Sequence, residues 1–503
     1  MKRKLCILFS LLFALNLTAG CGGGSESSSS SSQTEMKYET PEILDLTIRE
    51  DATFENVDGC FIEVKSDFLE PGYPDWDGEM LSAGAYPALA ETLEQYNYDT
   101  LSWQEDEYSH LQETASYGQE EEIYFYHDAF VTRNDTQVVS FYEHISLYDG
   151  WMGQYWKTKN IDTKTGKILT VKDVFTDPEE LPALLTEALI EKDPFLEGAV
   201  DLEEIIATSL ETEDMDVCFA LSYGSVHFFF AEYLLENYFL GDHIVLSLSD
   251  YPELVKEPYR LSPESYMLQL EYNTDCLTAD GKQLNMSWMM DGEWSESVLW
   301  SMIVDGNVYT EEFYGFAPQN CYLIHTGGKD YIYLQEPAGD ISMVTDIYEI
   351  TSNGLKKIGD LPLAMHSSVN LNPDRLFMDI NDMLYTYDIM LMPYGMYCVG
   401  SDGMPVLLED TFGVTGTDMV GKETFRIYMT DPKDASVEEG FTTVAQGIIL
   451  TPFRTDMETY LDLFTEDGRA IRLTIDGWYD EMEIHGFGTL NDGFEASMYH
   501  AYE

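Results

Sequence analysis

Carboxylates are the most numerous side chains in this sequence that could do chemistry. Asp and Glu account for 92 of the 503 residues, against 26 Lys and Arg, and two facing carboxyl groups are what acid–base hydrolysis of a glycoside needs. They are so frequent that the sequence cannot locate such a pair. The chain has no nucleophile elbow, P-loop, H-E-x-x-H or dinucleotide-binding motif. We therefore expect no catalytic, metal-binding or cofactor-binding residues, and keep a hydrolase with a carboxylate pair in the β-rich half as an alternative.

Histidines and one acidic segment are the candidates for a metal site. The nine histidines are scattered. Only His127 and His144 are expected to meet, across a predicted hairpin, and no Cys or acidic ligand is spaced to join them. The segment Asp75 to Glu79 hints at a calcium loop, but the alternating ligands of a twelve-residue loop are missing. Structural or exposed histidines are favoured over a metal site. A solvated acidic turn is favoured over a calcium loop.

Aromatic rings could form a platform for a sugar. Tyr155 and Trp156 lie close to Trp151 in the sequence, and flat rings suit the faces of pyranose rings. Half-buried strands also use aromatic residues as core, and the core interpretation is favoured. The sequence therefore assigns no ligand-binding residue.

The N-terminus carries the most specific pattern. Basic Lys2 to Lys4 precede a nearly continuous apolar run from Leu5 to Leu17, and Thr18-Ala19-Gly20 leads into Cys21. The apolar run is too short to span a bilayer comfortably. Small residues before a Cys, directly after such a run, resemble the signal of bacterial lipoproteins. The resemblance implies that residues 1–20 are a signal peptide and that Cys21 carries diacylglycerol after cleavage. An ordinary signal peptide followed by a chance Cys is the alternative.

The segment after Cys21 supports a lipid anchor. Residues 21–40 are rich in Gly and Ser, a composition typical of a flexible tether. No later segment approaches 18 consecutive apolar residues. We expect the mature protein to lie at the outer face of the cytoplasmic membrane, with the lipid bilayer as a partner through acylated Cys21.

The remaining cysteines predict no metal cluster. None belongs to a C-x-x-C pair, which argues against a zinc or iron–sulfur site. Their number is odd and they are far apart, so separate buried thiols are favoured over a disulfide framework. They are Cys60, Cys218, Cys276, Cys321 and Cys398.

Residues 41–260, the first region, are predicted to be α+β, as one domain or as two fused domains, 41–155 and 156–260. After Asn160 we expect a turn at Lys164-Thr165-Gly166, a short strand, and a helix beginning at Thr176 or Asp177 with Pro178 in its first turn. The other predicted elements are a helix over Pro87 to Tyr117 capped by Gly118, strands at 123–126 and 138–142 with a turn at Thr132 to Asp135, helices with apolar stripes at 181–189 and 202–210, and strands at 218–221, 226–230 and 244–248.

Two stretches of the first region carry a family resemblance. One is Asn160-Ile161-Asp162 through Thr165-Gly166-Lys167 and on to Lys172-Asp173-Val174-Phe175, and the other runs from Phe219 to Leu248 with Glu232-Tyr233 and Gly241. They resemble the extracellular domain of lysozyme-sensing anti-sigma factors of Gram-positive bacteria. Residues 41–255 are also similar to the non-catalytic N-terminal domains of a peptidoglycan deacetylase. Where that family has a Gly-rich, His-containing turn, this chain has Asp149-Gly150-Trp151-Met152-Gly153.

The resemblance implies a ligand at the cell envelope but no enzyme activity. The deacetylase uses a His-Ser-x-x-His metal motif, and the nearest string here, His366-Ser367-Ser368-Val369-Asn370, ends in Asn. Any ligand contact that the family makes at the turn near Trp151 is not carried over.

Residues 261–503, the second region, are predicted to be β-rich. Short apolar strands at 300–304, 331–334 and 347–350 alternate with turn dipeptides, which favour hairpins. We expect a blade-like or partial-propeller domain over 261–450. A small β unit is expected over 451–503, with a hairpin formed by Tyr460 to Phe464 and Ile471 to Ile475. The dipeptides are Asp280-Gly281, Asp305-Gly306, Asn353-Gly354, Asp402-Gly403 and Asp467-Gly468.

The formal net charge of −66 bears on the partners. It repels phosphate, so nucleic acid is excluded as a partner, and it attracts cationic proteins such as basic lysozyme-type hydrolases. The alternative explanation of the negative charge is that it keeps the protein soluble and has no partner. The favoured interpretation is a non-enzymatic, lipid-anchored surface protein that binds such a basic protein or the peptidoglycan glycan. A surface scaffold or sensor is a further alternative.

Overall fold

The protein is mostly β within the part of the chain that the structure describes. The computed structural model describes residues 38–57, 59–74, 80–117, 122–150, 152–198, 201–212, 216–231, 234, 243–290, 297–314, 320–337, 343–366, 368–380, 384–385, 389–416, 418–422, 424–430, 440–466, 468–477 and 482–496. Thr40–Glu503 forms one compact unit. The predicted β-rich character is thus confirmed, whereas the predicted domain boundaries stay predictions.

Several sequence predictions fall outside the described residues. They are the signal peptide, most of the tether, Cys21, the Asp75 to Glu79 segment, Gly118, Trp151, Glu232-Tyr233, Gly241 and Ser367. No helix among the described residues is both long enough and apolar enough to cross a membrane.

The first region is built on a mixed sheet that we call the proximal sheet. The strands Cys60–Pro71 and Glu122–Asn134 pair in parallel, and the helix Pro87–Ala115 connects them, because a parallel pair needs a long crossover. The other neighbours in this sheet are antiparallel. Its strand order is Ser368–Asn370, Leu46–Val57, Cys60–Pro71, Glu122–Asn134, Val138–Tyr148, Met152–Asp162.

One face of the proximal sheet packs on the helix Pro87–Ala115. The helix buries Leu89, Leu93 and Leu111 against sheet residues such as Phe125 and Phe141. Since side chains alternate along a strand, the residues between these core positions project from the opposite face. The predicted helix over Pro87 to Tyr117 is confirmed.

The rest of the first region contains two helices packed on a small antiparallel sheet. The predicted apolar stripes are confirmed, with Leu181, Leu185, Leu189 and Ile206 in one core. The elements are helices Leu181–Lys192 and Leu202–Thr212, 3-10 turns Ala83–Ala85, Pro178–Glu180 and Pro194–Gly198, and strands Val217–Leu221, Ser225–Phe230 and His243–Ser247.

The segment after Gly166 pairs back on the preceding strand, as predicted, through a single antiparallel bridge between Ile161 and Ile168. Residues Val171–Val174 then form a helical turn. Thr170 precedes this turn, and its backbone N–H donates to the Asp173 carboxylate over 3.0 Å. This reciprocal capping box favours a helix start over a strand. The main helix follows the 3-10 turn Pro178–Glu180, close to the predicted start.

The turn that the sequence predicts over Thr132 to Asp135 begins later in the structure, and the buried Arg133 belongs to the strand. The strand continues through Asn134, and the turn begins at Asp135. Arg133 is fully buried; its Nε donates to Asp135 over 2.8 Å. Its guanidinium also donates to the carbonyls of Tyr259 and Leu261. Arg133 therefore ties the proximal sheet to the segment that leads into the second region.

The second region consists of hairpins, as predicted. At Asp305-Gly306 both central residues have positive φ, 49° and 77°, which is the condition for the favoured two-residue turn. A four-stranded sheet has the order Asp275–Leu277, Gln283–Met290, Ser297–Val304, Asn307–Tyr314. A five-stranded sheet has the order Tyr266–Gln269, Asn320–Thr326, Lys329–Pro337, Met343–Thr351, Gly354–Leu361.

The last third of the chain forms one large branched sheet. The predicted hairpin of Tyr460–Thr465 and Ala470–Gly477 is confirmed. Its main path in the described residues is Leu363–Met365, Leu376–Ile380, Met390–Val399, Phe412–Gly416, Ile449–Thr455, Tyr460–Thr465, Ala470–Gly477, Phe425–Thr430, Gly440–Val444. Short strands join at Leu384–Tyr385, Pro405–Leu407, Met419–Gly421, Glu483–Ile484, Gly488–Thr489 and Phe494–Ala496; Tyr73–Pro74 pairs with Met80–Leu81. The remaining helices are Glu257–Arg260 and Leu490–Gly493.

The two regions share a core. Met267, Tyr322 and Ile347 of the second region belong to the same buried cluster as Leu89 and Phe141 of the first. The strand Ser368–Asn370 extends the proximal sheet. Residues of the second region can therefore lie over the face of the proximal sheet that the helix Pro87–Ala115 does not cover. Cys276 and Cys321 are buried thiols in the second region, in keeping with the prediction of separate thiols.

Candidate functional site

A cleft of about 730 Å³ lies on the face of the proximal sheet that is turned away from the helix Pro87–Ala115. Its floor is formed by Ile48, Glu50, Lys65, Asp67, Asp128, Phe130, His144, Gln154 and Trp156 of this sheet. Val369, on the edge strand of the same sheet, also lines the cleft. Facing residues come from the second region: Gln269 to Thr274, Trp288, Asn320, Tyr322, Met365 and His366. Lys192 and His243 complete the lining.

Strand register brings the floor residues together. Asp128 lies directly opposite His144, and His144 lies directly opposite Trp156 on the next strand. Glu50 lies opposite Asp67. Because side chains two residues apart share a face, a polar and aromatic surface results from strands that are apolar on their other face.

Carboxylates and one lysine form the charged centre of the floor. The Lys65 ammonium lies 3.0 Å from Glu50 and 3.1 Å from Asp128. Burial alone would lower the pKa of Lys65, but the charges of Asp128 and Glu50 outweigh this effect and raise it. One cation is thus shared between two carboxylates.

Asp67 is a third carboxyl group in this centre. It is buried, and one of its oxygens accepts a hydrogen bond from the backbone N–H of Ala129 over 2.9 Å. Burial, together with the charge of Asp128, raises the pKa of Asp67 from 3.8 to about 7, against the opposing effects of Ala129 and Lys65. A carboxyl group of this kind carries a proton for part of the time near neutral pH.

His144 and Glu271 form a pair at the cleft edge. The imidazole Nδ1 lies 2.6 Å from the Glu271 carboxylate, which also accepts a hydrogen bond from the Thr274 hydroxyl over 2.9 Å. Burial alone would lower the pKa of His144, but the hydrogen bond and the charge of Glu271 outweigh it, with Asp128 adding to the rise. His144 is therefore oriented and charged more readily than an isolated histidine.

Aromatic rings lie on both sides of the cleft. On the floor, Trp156 stacks on His144 with ring centroids 5.5 Å apart and an interplanar angle of 14°. On the facing side, Trp288 is 43% exposed and meets the edge of Tyr272 at 6.2 Å. Such rings, with amide side chains between them, suit a ligand that has flat apolar faces and polar edges.

Two further histidines line the cleft. His366 Nδ1 lies 2.7 Å from Asp379, and its ring stacks on Tyr394. His243 Nε2 lies 3.0 Å from Nδ1 of His227. Burial lowers the pKa of both members of this second pair, that of His227 to about 4. Both of these imidazoles are therefore neutral at pH 7.

The prediction that His127 and His144 meet is wrong. Register places His127 opposite Ile145 and His144 opposite Asp128, so the two histidines project from opposite faces. Acidic partners exist for both: His127 Nε2 lies 2.5 Å from Glu143, and His144 pairs with Glu271. Among the described residues no group of three or more His, Cys, Asp or Glu side chains could hold a metal ion.

The aromatic candidates divide between the two faces of the sheet. Trp156 lines the cleft, whereas Tyr155 packs beside Trp103 on the helix side. The alternation along the strand Met152–Asp162 explains this difference. The core interpretation therefore fits Tyr155, and of the two described members of the cluster Trp156 is the one that lines the cleft.

The second region also has a carboxyl group cluster. Burial, with the charge of Asp346, raises the pKa of Glu336 to about 7. Burial also raises the pKa of Asp346, although Lys357 binds it directly. Glu311 lies 3.5 Å from the same lysine. Carboxyl groups with raised pKa values are one of the features that the hydrolase alternative calls for, and none of these residues lines the cleft on the proximal sheet.

Sequence reasoning missed the residues that the second region contributes. Glu271 is held over His144 by the turn through Asn273, whose φ is 59° and whose N–H donates to Met286. Asn tolerates this left-handed conformation, so Asn273 was a local signal for a turn. Nothing local shows that the turn faces the proximal sheet, because that depends on a contact more than a hundred residues away.

Comparisons with known proteins leave the family open. No family model matches this chain, and no curated protein matches it. A solved DUF3298 family protein from Pseudomonas aeruginosa is 17% identical, with 43% of this chain and 97% of that chain covered and a TM-score of 0.25. A member of the same family from Bacteroides fragilis is 13% identical, with 44% and 96% covered and a TM-score of 0.25.

Proposed function

We propose that this is a bacterial surface lipoprotein, anchored through Cys21 outside the cytoplasmic membrane, whose cleft binds the glycan of the cell envelope without cleaving it. The lipoprotein-type N-terminus and the resemblance of residues 41–255 to envelope-sensing domains support the setting. The cleft between the proximal sheet and Trp288 is the observation that carries the proposal.

The composition of the cleft favours a saccharide. Its volume of about 730 Å³ lies in the range of small-molecule sites. Trp156 and Trp288 offer rings for stacking, and Gln154, Gln269 and Asn320 offer amides for hydroxyl groups. A folded protein cannot enter a cleft of this size, so a glycan segment suits it better than a lysozyme-type protein.

A basic protein is the second candidate ligand. The formal net charge of −66 would speed the encounter with a cationic partner, and salt would weaken that attraction. Such a partner would bind the outer surface, and its affinity would depend on ionic strength more than on Trp288.

A hydrolase remains the alternative from another class. Glu336 and Asp346 favour it, since their raised pKa values suit general acid catalysis. Turnover of wall fragments that is lost in Glu336→Gln would support this alternative over the binding function.

The finer architecture is also a proposal. We propose that residues 261–450 have a blade-like organisation and that 451–503 are a small C-terminal unit. The four consecutive antiparallel strands from Asp275 to Tyr314 support the first part, because a propeller blade is a four-stranded meander. Residues 41–260 would be the α+β part.

The test is co-sedimentation of the chain from residue 36 onward with purified peptidoglycan at low salt. Wild type should pellet with the glycan. Trp288→Ala should lose about tenfold in affinity, equivalent to ~1.4 kcal/mol. Tyr98→Ala is the matched control, since Tyr98 is an exposed aromatic residue on the helix Pro87–Ala115.

Two results would separate the candidates. Retention on immobilised lysozyme that disappears at high salt, without retention on peptidoglycan, would favour the basic-protein partner. Absence of retention on both would overturn the binding function.

A further inference from the structure

Lysines are concentrated in one short stretch of this acidic chain. Residues 157–172 contain five lysines and one aspartate, whereas the whole chain has 26 Lys and Arg against 92 Asp and Glu. The local charge is therefore opposite in sign to the charge of the molecule, and an anion is the partner that such a segment attracts. The lysines are Lys157, Lys159, Lys164, Lys167 and Lys172.

The last three of these lysines lie on the outside of the fold. Lys164, Lys167 and Lys172 are exposed, and the side chain of Ile168 between them is 45% exposed. Lys256, from the end of the first region, is exposed beside them. We call these five residues the basic surface.

Two contacts hold the basic surface together. Lys167 Nζ lies 2.6 Å from the Asp173 carboxylate. Lys256 Nζ donates to the backbone carbonyls of Lys172 and Asp173 over 2.6 and 2.8 Å. Lys164 and Lys172 have no ion pair within the described part of the chain, so no carboxylate of the protein neutralises them directly.

Carboxylates of the same segments reduce the local charge without reversing it. Asp162 accepts hydrogen bonds from the backbone N–H and the hydroxyl of Thr165, and Asp173 is bound to Lys167. Exposed Asp177 and Glu257 lie close by in the sequence. The attraction of an anion to the basic surface is therefore moderate.

The N-terminal end of the fold is attached next to the basic surface. The Glu42 backbone N–H donates to the Thr136 hydroxyl over 3.1 Å, and the Thr136 N–H donates to the Glu42 carbonyl over 2.9 Å. The Thr163 hydroxyl donates to the neighbouring Asp135 carbonyl over 2.8 Å. One turn thus holds both segments, and the chain before Glu42 enters the fold beside the turn that carries Lys164.

We propose that the basic surface docks on the phosphate groups of an anionic lipid bilayer, so that the anchored protein turns this face toward the membrane. The inference rests on the membrane anchor of the proposed function, because a chain tethered through Cys21 is held close to the bilayer. An apolar side chain among ammonium groups suits a bilayer interface, where phosphates lie next to acyl chains.

The net charge of the molecule opposes this docking only at long range. A formal net charge of −66 repels an anionic membrane as a whole. At physiological ionic strength, exposed charges are largely screened beyond about 8 Å. The charges that lie at the membrane contact therefore decide the sign of the interaction, and on the basic surface those charges are the lysines.

The test is flotation of the chain from residue 36 onward with lipid vesicles, which needs no lipid on Cys21. Vesicles of equimolar phosphatidylglycerol and phosphatidylcholine should carry wild type with them at low salt, and vesicles of phosphatidylcholine alone should not. A lysine next to an anionic surface contributes about fivefold to partitioning. Allowing for the nearby carboxylates, a triple variant should partition at least about tenfold less. Its substitutions are Lys164→Gln, Lys167→Gln and Lys172→Gln.

The matched control removes the same charge from exposed or half-buried lysines of the second region and should partition like wild type. Its substitutions are Lys282→Gln, Lys329→Gln and Lys356→Gln. Equal flotation of wild type with both kinds of vesicle, undiminished binding by the first triple variant, or an equal loss in the control would overturn the inference. Self-association that the first triple variant abolishes, without vesicle binding, would also overturn it and assign the basic surface to a second copy.

Two further measurements separate other causes of failure. Circular dichroism melting shows whether the triple variant folds. If it does not, the double variant Lys164→Gln, Lys172→Gln, which keeps the pair of Lys167 and Asp173, takes its place and should partition about fivefold less. The lipid anchor itself is tested by Cys21→Ser in cells, so its failure is distinguishable from a failure of vesicle binding.

Discussion

Asp67→Asn is expected to raise the free energy of unfolding at neutral and alkaline pH. The substitution also removes an ionisable carboxyl group from the cleft. The pKa of Asp67 is about 7 in the folded protein, against 3.8 for the ordinary side chain. A pKa raised by folding means that the folded state holds the proton more tightly, so the stability from protonated Asp67 is complete below pH 3.8 and is lost as the pH rises through 7. About three pH units at 1.36 kcal/mol each amount to ~4 kcal/mol.

Asn cannot ionise and can still accept the hydrogen bond from Ala129. Urea unfolding of wild type and Asp67→Asn at pH values from 4 to 8 should therefore show a difference that is small at pH 4 and reaches ~4 kcal/mol in favour of the variant at pH 8. Groups that do not interact with Asp67 cancel in the difference. Asp51→Asn, an exposed position on the neighbouring strand, is the control and should change little.

A difference that does not vary with pH would refute this reasoning, because it would mean that Asp67 ionises at its ordinary pKa. The expected outcome would identify a cleft residue that the fold retains against its own stability. Such a residue is typical of a functional site.

Three further predictions concern other parts of the molecule. Arg133→Met should lower the free energy of unfolding by about 3–5 kcal/mol in urea titrations, because it leaves Asp135 buried without its cation; a loss under 1 kcal/mol would contradict the anchoring role. Burial lowers the pKa of His227 from 6.5 to about 4. The stability that neutral His227 contributes is therefore complete above pH 6.5 and is lost as the pH falls toward 4. In the same urea titrations, the free energy of unfolding of His227→Gln should fall less steeply with acid than that of wild type, and an identical pH dependence would contradict the lowered pKa. Cys21→Ser should release the protein from the membrane fraction into the medium, as immunoblots of cell fractions can show, and persistent membrane association would rule out the lipid anchor.

The sequence predicted the local elements well. The apolar stripe through Leu181, Leu185 and Leu189 has the helical period, and the Asp305-Gly306 turn needs backbone angles that few residues adopt. Both signals lie within a few residues. After Gly166 the chain pairs back through Ile168, as predicted, and the Thr170–Asp173 capping box then starts a helical turn at Val171.

The candidate site was predictable only in part. The sequence marks Trp156 as a ring that could stack on a sugar, but it does not distinguish Trp156 from its strand neighbour Tyr155, because the face that the helix covers is not encoded locally. Glu271 and Trp288 reach the cleft from the second region through the shared core. That approach depends on long-range packing, which no local pattern encodes.

Fluorescence of Trp288 during titration with soluble peptidoglycan fragments tests the central claim most directly. A saturable change in emission that disappears in Trp288→Phe, with half-saturation matching calorimetry, is the result that the cleft proposal predicts. Calorimetric binding of the fragments with no change at Trp288, or binding that Trp288→Ala leaves unaltered, would place the ligand elsewhere and contradict it.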